Sequence, residues 1–336
     1  MRIIFVVLAI LFAGVGHAAA AEAILDVAQV PGLRAEGRTA YARFLLVNTP
    51  RAFATDGRGP FGWVGGAATL EDARARAMKS CADNGGTQCA VYAEDLDVVW
   101  AGRQPVARPP GPGLVFGSWD YGLTTDDRYF RYGPQAARGV FVWGHGKGSG
   151  YDGRPVQAQA YVRAFNNAGF DVVRFVRAPF PDYADSAADM LRKGLADLRA
   201  KGWRTIVVGG QSRGAWNSLQ MLSTPGLADA VIAVSAASFS STTGQDAEME
   251  RLLRAAQSPN TRVFVAQFRD DSYMPDVAGR IAMFRSLLPP RVGALLTVAD
   301  PPGITGHGGG NSSSFSIQFG PCMLRFVTET PPPSGC

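Results

Sequence analysis

From residue 114 onward, short and predominantly apolar segments alternate with segments of helical period, and this alternation constrains the fold more than any other feature of the chain. The apolar segments are 139–143 (GVFVW), 171–176 (DVVRFV), 205–208 (TIVV), 230–234 (AVIAV), 262–268 (RVFVAQF) and 294–299 (ALLTVA). Helices are expected between them, over 155–168, 184–201, 213–223, 246–257 and 277–288. Strands that are apolar along most of their length bury both faces, which an antiparallel sheet with one wet face does not require. Strand–helix–strand repetition therefore predicts an α/β chain with a doubly wound, mostly parallel sheet. One or two antiparallel lead-in strands are expected within 113–122 and 127–132.

The N-terminal part reads differently. Residues 1–21 carry Arg2, an apolar run over 3–13 and Ala19-Ala20-Ala21 before Glu22, the pattern of a cleaved secretory signal. The run is shorter than the roughly 20 apolar residues that a bilayer span needs, so no membrane segment is expected after cleavage and the mature chain is expected to be secreted or periplasmic. Residues 22–104 read as a small α+β module. Strands are expected at 41–47 (YARFLLV), 61–64, 89–92 and 95–100, and a helix at 69–81 with Thr69 as its N-cap. The module holds no histidine, and a structural or targeting role is expected for it. Residues 105–113 (PVARPPGPG) form a stiff linker, and 114–336 a second, larger domain. The four cysteines allow three pairings. Export favours disulfides over metal sites, and the pairings that close short loops are Cys81–Cys89 and Cys322–Cys336.

Composition excludes other classes. Apolar residues make up 46% and charged residues 18% of the 336 positions, which is globular and neither disordered nor collagen-like. The net charge of +5 is spread without any long basic run, so a nucleic-acid partner is not expected.

The chemistry sits in Gly210-Gln211-Ser212-Arg213-Gly214, a G-x-S-x-G match between an apolar strand and a helical run. Such a sharp turn needs small flanking residues and lifts the Ser212 hydroxyl above the sheet at a helix N-terminus. The backbone N–H of Arg213 then faces a developing oxyanion. A serine hydroxyl needs a base. Of three histidines, His17 leaves with the signal, so His145 and His307 remain. Carboxylates at strand ends between Ser212 and His307 are Asp270 and Asp271, with Asp300 further on.

The order strand–His-Gly, strand–G-x-S-x-G, strand–Asp, strand–His resembles the α/β-hydrolase superfamily over about residues 112–330, and is most similar to its exported esterase-like and dienelactone-hydrolase-like members. Residues 22–104 resemble a small cysteine-paired module of exported bacterial proteins. The hydrolase resemblance implies that Ser212 is the nucleophile and His307 the base. His145 then orients the oxyanion loop, where the N–H of Lys147, or failing that Gly146, binds charge. Asp271, four residues before Pro275, is preferred to Asp270 as the acid; the other aspartate caps the turn or pairs with Arg269. Arg213 departs from the family pattern, in which smaller or apolar residues are commoner. The implied activity is hydrolysis of a small-molecule or polymeric carboxylic ester through an acyl-enzyme, without cofactor or metal. A serine peptidase or amidase on the same scaffold, or a non-catalytic binding protein, are the alternatives. Only ten residues (235–244) stand where lid domains insert, so an open site is expected, with Tyr183, Trp216, Phe239 and Tyr273 as candidate lining residues.

Overall fold

The structure, a computed structural model, describes residues 23–147, 152–177, 182–238 and 244–336. The expected signal segment and Phe239 lie outside the described residues. In chain order the first unit contains α1 (Ala35–Phe44), β1 (Ala52–Thr55), β2 (Phe61–Val64), α2 (Leu70–Asp83), β3 (Ala90–Glu94) and β4 (Asp97–Val98). The second contains β5 (Leu114–Gly117), β6 (Gly122–Thr125), β7 (Gly139–Gly144), α3 (Val162–Asn167), β8 (Phe170–Val176), α4 (Ala184–Ala200) and β9 (Ile206–Gln211). It continues through α5 (Arg213–Gln220), β10 (Ala230–Val234), α6 (Gln245–Arg254), β11 (Ser258–Gln267), α7 (Val277–Leu287), β12 (Val292–Ala299) and α8 (Ser313–Thr328).

The large sheet has eight strands in the order β12-β11-β10-β9-β7-β8-β6-β5. β6 alone runs opposite to the other seven strands. The apolar strands divide their side chains by parity, as the two-residue pleat requires. Val140 and Val142 enter the core beneath α4–α7, whereas Phe141 and Trp143 enter the core beneath α3 and α8. The pattern repeats in β10, where Val231 and Ala233 face one core and Ala230, Ile232 and Val234 the other. Each fully buried Val or Phe stabilises the fold by about 1.5–3 kcal/mol relative to exposure.

Strand order decides where a site can be. The chain leaves β7 for β8 on one side and returns to β9 on the other, so β7 lies between β8 and β9. Between β7 and β9 the successive crossovers diverge, opening a crevice at the strands' C-terminal ends. Gly144 ends β7 and pairs with Gly210 of β9, so residues 145–147 and 212 meet there.

Several expected elements differ. The stretch 41–47 is not a strand. Gly37, Ala40, Tyr41 and Phe44 have helical spacing and form the buried face of α1, and the Arg51 guanidinium binds the carbonyls of Phe44, Leu45 and Val47 at its C-terminal end. The strand expected at 95–100 shrinks to Asp97–Val98, beside a left-handed Asp95. Residues 127–132 are not a strand; the Tyr132 and Gly133 amides are capped by the buried Asp171 carboxylate instead. The helix expected at 155–168 forms only over Val162–Asn167. The helix α8 was not expected because Gly320 and Pro321 interrupt its sequence. Its Phe315, Phe319, Met323 and Phe326 close one face of the sheet.

Both cysteine pairs stand at bonding distance, Cys81–Cys89 at 1.97 Å and Cys322–Cys336 at 1.96 Å. The small sheet (β2-β1-β3-β4) is joined to the large unit by buried polar contacts. Arg51 donates to Asn167 Oδ1 at 2.6 Å, Asn167 donates to the Leu45 carbonyl at 2.7 Å, and Arg108 of the connecting segment pairs with Asp97 at 2.6 Å. Among the described residues no helix is long and apolar enough to cross a membrane.

Candidate active site

Ser212 sits between β9 and α5 with φ 55° and ψ −122°. A non-glycine residue there is strained, and it persists only where its surroundings over-determine it. Here the Ser212 N–H donates to the Val234 carbonyl at 3.0 Å, and its own carbonyl accepts from Trp216 and Ala237 at 2.9 and 3.2 Å. The glycines on either side are required by contact. A Cβ on Gly210 would stand 2.2 Å from the Gly144 carbonyl oxygen, and one on Gly214 2.0 Å from the same atom. The turn leaves Ser212 partly exposed between the buried Gln211 and Arg213.

The two aspartates after β11 separate cleanly. Asp270 is exposed and left-handed, at φ 58°. Asp271 is 1% exposed, and both its carboxylate oxygens lie 3.0 Å from His307 Nδ1. Its Oδ1 also accepts the Tyr273 N–H at 2.9 Å. Arg269 pairs with Asp300 at 3.0 Å, not with Asp270. His307 lies in the loop after β12, its ring 4.5 Å from that of Tyr273. Donation from Nδ1–H to Asp271 leaves Nε2 as the ring's basic nitrogen. The loop is fastened to the end of β9, since Gln211 Nε2 donates to the His307 carbonyl.

His145 is buried, and its ring is pinned from both sides. The Arg177 N–H donates to Nε2 at 3.2 Å, so Nδ1 carries the proton and donates to the Gly146 carbonyl at 2.7 Å. Burial, reinforced by the Arg177 charge, pushes its pKa down to about 3, so the ring is neutral. Arg177 Nη2 binds the same Gly146 carbonyl at 3.2 Å. In a trans peptide the following N–H points opposite to that carbonyl. The Lys147 N–H is thereby turned away from the His145–Arg177 side. Gly146 lies against the elbow; a Cβ there would stand 3.6 Å from Ser212 Cβ.

The Arg213 side chain is buried and shares Asp182 with Arg177. Arg177 Nε lies 3.3 Å, and Arg213 Nε 3.8 Å, from that carboxylate. Arg213 Nη1 also donates to Ser238 Oγ at 3.1 Å. Burial lowers the Arg177 pKa to about 10, with Asp182 opposing, so the guanidinium stays charged. A cavity of about 760 Å³ opens beside the elbow, lined by Lys147, Asp182, Tyr183, Arg213, Trp216 and Ser238 among others. Neither Ser212 nor His307 is among its lining residues. Tyr273 packs on His307 instead.

No protein-family model matches the chain, and no curated protein matches it. Among solved structures, an esterase from Pyrococcus furiosus is similar at 15% identity and a TM-score of 0.44, covering 67% of this chain and 98% of its own. DcsB, solved with a substrate analogue, is similar at 12% identity and a TM-score of 0.44, covering 56% of this chain and 90% of its own. These likenesses are too distant to assign an activity.

Two participants, Arg177 and Asp182, carry no signal in sequence: each is a polar residue in an irregular segment after β8, and only the fold brings it to the site.

Proposed function

We propose that the protein is an exported serine hydrolase acting on carboxylic esters. The observation that carries this reading is the buried Asp271 carboxylate on Nδ1 of His307, whose loop is tied to Gln211, the residue before a strained Ser212. With Nδ1–H held by Asp271, His307 Nε2 takes the Ser212 proton as Oγ attacks the ester carbonyl. The N–H groups of Arg213 and Lys147 receive the oxyanion, and the neutral His145 and Arg177 fix the loop that presents Lys147. His307 then protonates the leaving alcohol. Water, deprotonated by the same imidazole, cleaves the acyl-enzyme. Asp271 stabilises the imidazolium at both steps without becoming protonated.

Export is supported by the signal-like N-terminus and by two cysteine pairs at bonding distance. A p-nitrophenyl ester series of rising acyl length, run beside a peptide and anilide series, tests the activity. The expected result is ester turnover that disappears in Ser212→Ala; turnover of anilides alone, or turnover surviving in Ser212→Ala, overturns it.

A further inference from the structure

The segment that carries His307, residues 303–310 (GITGHGGG), contains five glycines in eight positions. Glycine loses more backbone freedom on folding than any other residue, so this composition is poorly suited to holding an imidazole still. Backbone bonds supply some restraint: Gly306 N–H donates to the Arg269 carbonyl at 2.7 Å, and Gly309 N–H to the Gly306 carbonyl at 3.0 Å. The Asp271 carboxylate holds the His307 ring, and a second side chain holds its backbone: Gln211 Nε2 donates to the His307 carbonyl.

Gln211 is the last link of a chain of amides. Trp143 Nε1–H donates to Gln159 Oε1 at 2.7 Å. Gln159 Nε2 donates to Gln211 Oε1 at 2.9 Å and to Asn311 Oδ1 at 3.0 Å. Trp143, Gln159 and Gln211 are all buried. An indole N–H can only donate, so it fixes which end of the Gln159 amide faces it. That leaves the Gln159 NH2 for Gln211 and Asn311. With its oxygen occupied, Gln211 must offer its NH2 to His307. One donor-only atom in β7 thus sets the polarity of every bond out to the loop. The chain grips that loop at His307 and again at Asn311, four residues on.

We propose that Gln159 and Gln211 are positioning residues: a Trp143-polarised amide chain that holds the His307 loop in register with Ser212. This rests on the reading of Ser212 and His307 as nucleophile and base. Both glutamines are buried, and their amides are taken up by one another and by the loop. They act through His307, so their loss lowers kcat and spares KM.

The test uses the full chain and p-nitrophenyl butyrate. Gln211→Met keeps the length and removes the donor, and a misplaced base costs about 10- to 100-fold in kcat with KM within about twofold. Gln159→Met acts in the same direction, and the double variant is no worse than Gln211→Met because one chain is cut twice. Gln211→Glu gives a readout that mere packing would not. A protonated carboxyl reproduces the glutamine's donor and acceptor, and an ionised one cannot donate. Its kcat is therefore near wild type at low pH and falls through an ionisation that the wild type lacks. Hydrogen exchange of residues 303–311, followed by mass spectrometry, is faster in Gln211→Met. Unchanged kcat in folded Gln211→Met, a Gln211→Glu profile parallel to wild type, or unchanged exchange overturns the proposal. If the wild type turns over no ester and takes no fluorophosphonate, the hydrolase reading fails. Loop exchange still reports the tether in that case, and unchanged exchange overturns it independently.

Discussion

Replacing Asp271 by asparagine tests the site at the atom where its geometry is most specific. Asp271 Oδ1 accepts the Tyr273 N–H at 2.9 Å, and that amide needs an oxygen. The asparagine carbonyl stays on Tyr273, which points its NH2 at His307 Nδ1. A donor there forces the imidazole into the tautomer with the proton on Nε2, which cannot accept from Ser212. Loss of the correct tautomer costs about 10³–10⁴-fold in kcat, equivalent to about 4–5.5 kcal/mol of activation free energy. The side chain is isosteric and 1% exposed, so the thermal midpoint monitors any separate loss of stability. Asp270→Asn is the matched control. Asp270 is exposed at φ 58°, a conformation that asparagine tolerates well, and its kcat is expected within about threefold of wild type. Both variants are assayed with p-nitrophenyl butyrate at saturation. A folded Asp271→Asn within tenfold of wild type, or a larger loss in Asp270→Asn, refutes the reasoning.

Three further outcomes follow from contacts described above. His145 has a folded pKa of about 3 against its usual 6.5, so the unfolded chain takes up a proton first as pH falls. That contribution to stability is fully present above pH 6.5 and is lost between 6.5 and about 3, by at most about 1.4 kcal/mol per pH unit. Urea midpoints across this range are expected to show a shallower acid decline in His145→Gln, which keeps one donor and one acceptor; an unchanged slope contradicts the buried neutral ring. Gly214→Ala places a methyl 2.0 Å from the Gly144 carbonyl oxygen, so β7 and the elbow must part. Stability is expected to fall by about 1–3 kcal/mol and kcat by about 100-fold, read by urea titration and ester turnover; a wild-type midpoint and kcat exclude the close approach. Cys322 and Cys336 close a loop of sequence separation 14, so their joint replacement by serine is expected to cost about 3 kcal/mol. A wild-type urea midpoint contradicts that bridge.

The parts of the fold legible in sequence are those governed by burial on both faces of one sheet. Residues 140–143, 206–208 and 230–234 are apolar at every position because each parity meets a different core, so no alternation was needed to recognise them. Residues 41–47 misled for the opposite reason. Aromatic and branched residues suggested a strand, whereas the buried set at 37, 40, 41 and 44 has helical spacing and determines the structure. In α8 the local cost of Gly320 and Pro321 is outweighed by four buried phenylalanine and methionine side chains, a tertiary gain invisible in a local window. Ser212 was legible because its turn needs glycines at 210 and 214. Choosing between Asp270 and Asp271 depends on side-chain direction at one turn, which adjacent identical residues cannot reveal. The amide chain from Trp143 to His307 spans four separate segments and has no sequence pattern at all.

The central claim is that Ser212 Oγ is an activated nucleophile, and active-site titration measures this directly. Intact-mass and peptide spectrometry after exposure to a fluorophosphonate are expected to show one adduct per chain, located on Ser212. The adduct should be absent in Ser212→Ala and form more slowly by orders of magnitude in His307→Ala. A folded wild-type protein that takes no label, or takes it on another serine, contradicts the account.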